Sequence, residues 1–281
     1  MTTLAEKALL VQLNISQWTA RKRDRKVTQE VASGHGVAAS AGNYNKALLP
    51  GEASLKNVHN KSVALRNYFY TNTLAWDSNG TQLLPARHFL EFGDGFRELR
   101  EAWDKAVYTF VLEYPRLVAE APIKLRGMFE ASDYPDASRI AERFSVKLHR
   151  FNVPSTDFRV AISDTEREEL VSEAEERLSQ AHAAANKEVV SRLAERVSFM
   201  AEKLKDHKAI ITNSLVDNTR EMCKLLKSLD ISGDQTVLDM IDTVEFELTS
   251  IHPDVLRHDP SIRNSRAAEA EKILNKIRGV A

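Results

Sequence analysis

A helical run over residues 165–208 constrains the fold of this chain more than any other segment. The run contains neither proline nor glycine. It opens with Ser163-Asp164-Thr165-Glu166, the pattern of a capping box, in which the Ser hydroxyl and the Glu carboxylate bind backbone N–H groups that the helix leaves free. At 1.5 Å per residue the helix would be roughly 65 Å long. Its apolar stripe therefore has to be buried against another element or another chain.

The apolar positions of this run recur every three or four residues. Their mean spacing of about 3.8 exceeds the 3.5 of a left-handed coiled coil and predicts a nearly straight rod. The apolar stripe can pack against the helices that follow residue 213 in the same chain, against a second chain, or against both. If the partner is a second chain, the self-association surface consists of Leu170, Leu178, Val189, Leu193, Val197 and Leu204.

The composition indicates a folding, soluble chain without an overall charge signature. Apolar residues make up 43% and charged residues 28% of the 281 residues, as in ordinary globular proteins. A formal charge of −1 gives no general attraction to nucleic acid or membranes. The single cysteine, Cys223, fits a reducing compartment, and no segment approaches the roughly 20 apolar residues that span a bilayer. We expect a cytoplasmic protein without membrane association.

The remaining periodicity predicts an α+β protein dominated by helices. Alternating apolar residues over 10–16, 144–148 and 158–162 indicate a small antiparallel three-stranded sheet. Helical spacing over residues 52–73 places one apolar stripe on one face, and its members are Leu55, Val58, Ser62, Leu65 and Phe69.

A second helix is expected over residues 96–114. Gly93-Asp94-Gly95 should break the chain before it, and Pro115 should stop or kink it. These elements predict a mixed α/β domain with a helical insertion over residues 1–163, the long helix over 164–208, and a C-terminal helical bundle over 209–281.

The densest charge cluster of the chain is the segment Arg21-Lys22-Arg23-Asp24-Arg25-Lys26. Lysine and arginine neutralise phosphates, and aromatic rings nearby can stack on bases. A solvated helix face or a patch for a protein partner explains the same cluster. The candidate nucleic-acid residues are Trp18, Arg21, Lys22, Arg23, Arg25, Lys26, Tyr44 and Lys46.

No motif for catalysis or for a cofactor is present in the sequence. The loop SGHGVAAS at residues 33–40 matches neither the phosphate-binding nor the dinucleotide-binding glycine spacing. Cys223 lies in a helical segment where a buried, inert thiol is the default. His252 and His258 flank Pro253 without cysteine partners and indicate a polar loop rather than a zinc site. We expect no enzymatic activity, no cofactor and no metal.

Two segments near the N-terminus resemble a family of uncharacterised proteins that is common in tailed-phage genomes. They are LVQLNISQWTARKRDRKVTQEV and, after the Ala/Gly/Ser loop, GNYNKALLP at residues 42–50. The Glu-rich long helix is similar in general character. Members are often encoded near MoxR-type AAA+ ATPases, so the resemblance implies an AAA+ ATPase as partner. It implies no catalytic residues.

Three hypotheses about function follow from these observations. The first is a non-enzymatic, self-associating phage-type scaffold or adaptor that uses the long helix as its contact surface. The second is a protein that binds nucleic acid, such as single-stranded DNA, through the N-terminal basic cluster. The third, an enzyme with a site built from dispersed carboxylates and histidines, needs a convergent polar pocket that a sequence does not display.

Overall fold

Helices dominate the computed structural model, which describes residues 4–154 and 163–279. The helices are α1 (Leu4–Lys7), α2 (Arg25–Gly34), α3 (Ala53–Thr71), α4 (Phe89–Leu125), α5 (Asp164–Lys205), α6 (Asn213–Leu229), α7 (Gln235–Thr249), α8 (Pro253–His258) and α9 (Pro260–Arg278). The strands are β1 (Ala8–Ser16), β2 (Arg21–Arg23), β3 (Asn45–Ala47), β4 (Leu74–Ala75), β5 (Thr81–Pro85) and β6 (Ser145–Asn152). The predominantly helical α+β class is confirmed. None of the described helices is both long and apolar enough to cross a membrane.

The main sheet has four strands in the order β4-β5-β1-β6, whereas the sequence predicted three strands. β1 pairs antiparallel with β5, from Ala8 opposite Pro85 to Gln12 opposite Thr81. β4 and β5 were missed because β4 has two residues and β5 is buried along most of its length, so neither alternates. The predicted strand at residues 158–162 lies outside the described residues.

Contacts divide the chain into two compact units, each built from separate stretches of sequence. The bundle unit comprises Met1–Gln12, Tyr70–Gly93 and His149–Ala281. The insert unit comprises Leu13–Phe69 and Asp94–Leu148. The chain therefore leaves the bundle unit and returns to it twice, and each unit depends on contacts between residues far apart in sequence.

The capping box predicted at the start of α5 is confirmed. Ser163 Oγ accepts a hydrogen bond from the Glu166 backbone N–H at 3.3 Å, and Glu166 Oε2 accepts one from the Ser163 N–H at 3.1 Å. The helix then runs without interruption to Lys205, with acidic residues in its first turn and basic residues in its last. This charge order matches the helix dipole.

The C-terminal half of α5 is buried in the core of the bundle unit. Val189, Leu193, Val197 and Leu204 are each at most 1% exposed, and they share one apolar core with residues of α6, α7 and α9. The most extensive contact of α5 is with α9. These four residues, which the sequence offered for self-association, thus pack within their own chain.

The other two residues of that predicted surface lie nearer the start of α5. Leu178 is half-buried and packs against the same core. Leu170 is 38% exposed. The apolar stripe of the helix therefore has two environments, a buried one toward its end and a more exposed one toward its beginning.

Arginine side chains complete two helix ends in the bundle unit. Arg263 of α9 is 7% exposed and donates from Nε to the Leu204 carbonyl at 2.9 Å, and from Nη2 to the carbonyls of Lys203 and Ala209. The last carbonyls of a helix have no partner within the helix, so Arg263 supplies donors to the end of α5. Arg192 of α5 donates in the same way to three carbonyls at the end of α3, those of Tyr70, Thr71 and Thr73.

The insert unit has its core between α3 and α4. The predicted stripe of α3 is confirmed, because the residues of this helix that are buried are Leu55, Val58, Ser62, Leu65 and Phe69. Trp103 of α4 donates from Nε1 to Ser62 Oγ at 2.8 Å, which satisfies the indole nitrogen in the interior.

The break predicted at residues 93–95 and a stop at Pro115 are wrong, because one helix runs from Phe89 to Leu125; a kink at Pro115 stays a prediction. Gly95 is a packing position, since a Cβ there would overlap the hydroxyl of Tyr68. Pro115 is exposed, and the apolar stripe continues on both sides of it through Tyr114 and Leu117, each 1% exposed. Burial of that stripe offsets the roughly 3 kcal/mol that an interior proline costs a helix.

Two matched substitutions distinguish the environments along α5. We expect Leu193→Glu to lower the free energy of unfolding by about 4 kcal/mol, because it places a carboxylate in the apolar core and removes buried contacts. Leu170→Glu should change it by less than about 0.5 kcal/mol, as for surface sites generally. Thermal and urea unfolding followed by circular dichroism measures both values. Equal stability of the two variants would contradict the intramolecular packing of α5.

Candidate functional site

The basic cluster lies where a two-stranded ribbon meets the start of a helix. β2 pairs antiparallel with β3, so Arg21 lies opposite Ala47 and Arg23 opposite Asn45. Asp24 ends the strand and caps α2, because its carboxylate accepts a hydrogen bond from the Val27 N–H at 3.0 Å. The cluster is thus divided between a strand and the first turn of a helix, rather than lying on one helix face.

Backbone and side-chain hydrogen bonds fix Tyr44 beside this cluster. The Asp24 N–H donates to the Tyr44 carbonyl at 2.9 Å, and the Tyr44 N–H donates to Thr28 Oγ1 at 3.1 Å. Thr28 is 6% exposed and belongs to α2. The start of α2 and the segment before β3 are therefore held together, with the Tyr44 side chain 41% exposed next to them.

Four cations of the cluster are exposed, and we call them the cationic ridge: Arg21, Arg23, Arg25 and Lys26. None of them forms an ion pair with a residue in the described part of the chain. Arg25 and Lys26 occupy the first turn of α2, where the positive end of the helix dipole disfavours cations. The four ridge cations are therefore not neutralised by ion pairs within the described part of the chain.

The other two lysines predicted for this site are paired with Asp133. Lys46 Nζ lies 2.8 Å from an Asp133 carboxylate oxygen and donates to the Met128 carbonyl at 2.7 Å. Lys22 Nζ lies 3.3 Å from the other carboxylate oxygen. Lys46 is only 7% exposed, so its ammonium group anchors the ribbon internally instead of presenting a surface charge.

The carboxyl group of Asp133 is held in its charged form by these two lysines. Burial by itself raises the pKa of Asp133, but hydrogen bonds and charge attraction from Lys46 and Lys22 outweigh it, and the pKa lies below its usual value. Asp133 was not predicted as part of this site, because it is distant from the ribbon in the sequence.

Trp18 belongs to the interior aromatic cluster of the insert unit. Its ring centroid lies 5.5 Å from that of Tyr114, in an edge-to-face arrangement, and 6.3 Å from that of Phe110. Phe144 contacts Phe110 at 5.6 Å in turn. These contacts leave the Trp18 ring only partly exposed, so of the two predicted stacking residues Tyr44 has the more exposed side chain.

A groove lies between α2 and the segment that returns from it, and we call it the α2 groove. Gly36, at φ 66°, reverses the chain after α2, and residues 37–44 then form the second wall. The groove encloses about 630 Å³, and its walls are largely apolar, with Val31, Val37 and Tyr44 among the lining residues. From the sequence, residues 33–40 are predicted only as a loop, because the apolar residues of the groove wall are dispersed and show no period.

The division into units also separates charge. The insert unit has 18 Lys and Arg against 13 Asp and Glu, whereas the bundle unit has 21 against 27. Residues 13–69 alone carry nine basic and three acidic side chains. The formal charge of −1 for the whole chain thus conceals a basic unit and an acidic unit.

Cys223 and His252 belong to residue types that often act in catalysis or bind metals, but both have structural roles in this chain. Cys223 is fully buried in the bundle unit, and burial raises the pKa of its thiol to about 12, as expected for an inert cysteine. His252 caps α8, with its ring accepting from the Asp254 N–H. Among the described residues, no three His, Cys, Asp or Glu side chains are grouped to hold a metal ion.

Comparisons of the chain with protein-family models, with curated proteins and with solved structures found no match. The resemblance to the tailed-phage family stays a prediction from the sequence. The geometry of the ridge and groove is therefore the basis for any functional proposal.

We expect Asp133→Asn to lower the free energy of unfolding by about 3 kcal/mol at neutral pH, because it removes the nearer of the two carboxylates beside the buried Lys46 and leaves only Asp24, at 3.7 Å. The folded-state pKa of Asp133 lies below the unfolded value of 3.8, so its contribution is present above that value and is lost as pH falls through the folded-state pKa. Urea unfolding from neutral pH down to about pH 2.5 measures this window.

Asp94→Asn, at an exposed pair with Arg97, is the control. A constant difference between Asp133→Asn and the parent at every pH would contradict the ion pair.

Proposed function

We propose that this chain binds nucleic acid through the cationic ridge of the insert unit. The observation that carries the proposal is the contrast within one charge cluster: Lys22 and Lys46 are matched by Asp133, whereas the four ridge cations have no carboxylate partner in the described chain. Structural ion pairs explain the first set. A phosphate backbone provides the missing counter-charge for the second.

The physical basis is counterion release from a polyanion. Each phosphate neutralised by a lysine or arginine releases condensed counterions, so affinity falls with salt by a slope of about −0.7 per contact on single strands. Four contacts give a slope of about −3. The insert unit has a net positive charge and attracts a polyanion, whereas the acidic bundle unit repels it. This difference supports binding of nucleic acid at the insert unit.

Removing the ridge charges tests this function directly. In a variant with Arg21, Arg23, Arg25 and Lys26 all changed to Gln, affinity for a labelled oligonucleotide should fall at least about 100-fold, and the salt slope should approach zero. The measurement is fluorescence anisotropy across a salt titration, on protein purified free of bound nucleic acid.

The matched control changes four exposed lysines of the bundle unit to Gln, so the net charge falls equally: Lys187, Lys208, Lys224 and Lys276. We expect this control to retain affinity and slope within about twofold. If both quadruple variants lose affinity equally, binding follows net charge and the ridge is not the site.

Self-association as a scaffold is a second candidate, favoured by one exposed surface on α4. Tyr108, Leu112 and Ile123 are 64%, 63% and 77% exposed, and Pro115 and Ala119 lie between them on the same face. The spacing is that of a helix face that pairs with another helix. A scaffold of the predicted phage type would then use α4 rather than the buried part of α5, and an AAA+ ATPase is the partner that the sequence resemblance implies.

Light scattering on a sizing column tests this candidate. We expect the parent chain to elute as a defined multimer and the double variant Tyr108→Lys, Leu112→Lys to elute as a monomer, because two buried charges at an interface are not compensated. Val63→Lys, at an exposed valine of α3, is the control and should keep the parent mass. If the parent chain is monomeric at every concentration, the scaffold hypothesis is excluded.

A further inference from the structure

We infer that the α2 groove receives an unpaired nucleobase, which makes the bound nucleic acid single-stranded. This inference rests on the proposed binding of nucleic acid by the cationic ridge. It assigns the groove a ligand class, a base attached to a phosphate, and it assigns Tyr44 the role of the stacking platform.

Apolar side chains are exposed to solvent in the groove. Val31 is 50% exposed, Val37 51% and Tyr44 41%, and all three line the same cavity. The Tyr44 ring makes no ring contact with another aromatic residue of the described chain, unlike Trp18. A flat aromatic ligand covers such surface and stacks on the free ring. The volume of about 630 Å³ lies within the range of small-molecule sites.

Basic residues of the ridge lie close in the chain to one end of the groove. Arg25 precedes Thr28 by three residues on α2, so both lie on the same helix face, and Thr28 lines the groove. Arg23 pairs across the ribbon with Asn45, the residue after Tyr44. Arg25 is thus placed by α2 toward the end of the groove where Tyr44 lies, and the backbone of Arg23 lies one ribbon position away from Tyr44. The occupant that this arrangement fits has a planar apolar part and an anionic part directly attached to it, as a nucleotide has.

A single strand, rather than a duplex, offers the groove a free base. In a duplex the bases are stacked and paired, so their faces are not free to enter a side groove. A single strand presents each base face, and stacking on aromatic rings is tolerant of sequence. Two polar side chains, His35 and Asn43, also line the groove and can pair with base edges.

The test uses the full chain and three labelled probes of equal length: a single strand, the corresponding duplex and an abasic strand with the same phosphate backbone. We expect the parent chain to bind the single strand about tenfold more tightly than either other probe, as one or two stacked bases provide. Tyr44→Ser should remove this preference and leave affinity for the abasic strand unchanged. A strand containing 2-aminopurine should show quenching with the parent chain and none with Tyr44→Ser.

Two further variants keep the result interpretable. Ala41→Phe fills the groove without removing the tyrosine and should lower single-strand affinity to the same level. Phe246→Ser removes an exposed aromatic ring of the bundle unit, to which no binding role is assigned, and should change nothing. Unfolding curves of all variants should match the parent curve.

The outcomes separate this inference from the proposed function. If the three probes bind equally and only the ridge variant loses binding, the groove inference is overturned and the ridge stands. If no probe binds, both are overturned. If vesicles containing anionic phospholipid bind in a manner sensitive to Ala41→Phe while the strands do not, the groove belongs to a lipid and the inference is likewise overturned.

Discussion

The packing of the second half of α5 against α9 is the contact on which the bundle unit depends. It buries Val189, Leu193, Val197 and Leu204 together with apolar residues of three other helices. Hydrogen bonds also attach α5 to the end of α3 and to β4. Arg192 donates to the carbonyls at the end of α3, and Glu188 accepts a hydrogen bond from the N–H of Ala75 in β4. The end of α5 depends on α9 in return, through the buried guanidinium of Arg263.

In the insert unit, ion pairs determine which cations of the basic cluster are available, and Asp133 forms the nearest of them. Asp133 holds Lys46 and Lys22 and so attaches the β2–β3 ribbon to the rest of the unit. The cationic ridge has no equivalent, although it belongs to the same run of sequence. A charge cluster that looks uniform in the sequence is therefore two sets of residues, one that stabilises the fold and one that faces solvent. The proposals for nucleic acid follow from that difference and from the groove beside the ridge.

Local patterns predicted the helices well and the sheet poorly. The five buried positions of α3 and the capping box of α5 are the predicted ones, because helical period and capping act over a few residues. The breaks predicted at Gly95 and Pro115 considered only local propensity, which tertiary packing overrides. Tyr68 packs against Gly95, and α4 continues beyond Pro115 because residues on both sides of it are buried. In the candidate site, Arg21, Arg23, Arg25, Lys26 and Tyr44 are exposed, whereas Trp18 is half-buried against aromatic rings and Lys46 is buried.

The sequence by itself determined where α5 begins, which face of α3 is apolar, and where positive charge is dense. These properties depend on residues within a few turns of one another. Only the tertiary structure decided what covers the stripe of α5, which lysines meet a carboxylate, and that a glycine-containing loop closes a groove beside Tyr44. Those outcomes depend on neighbours contributed by distant segments, such as Asp133 for Lys46 and α9 for α5. No local periodicity encodes such partners, because their contact exists only once the separate stretches of each unit have assembled.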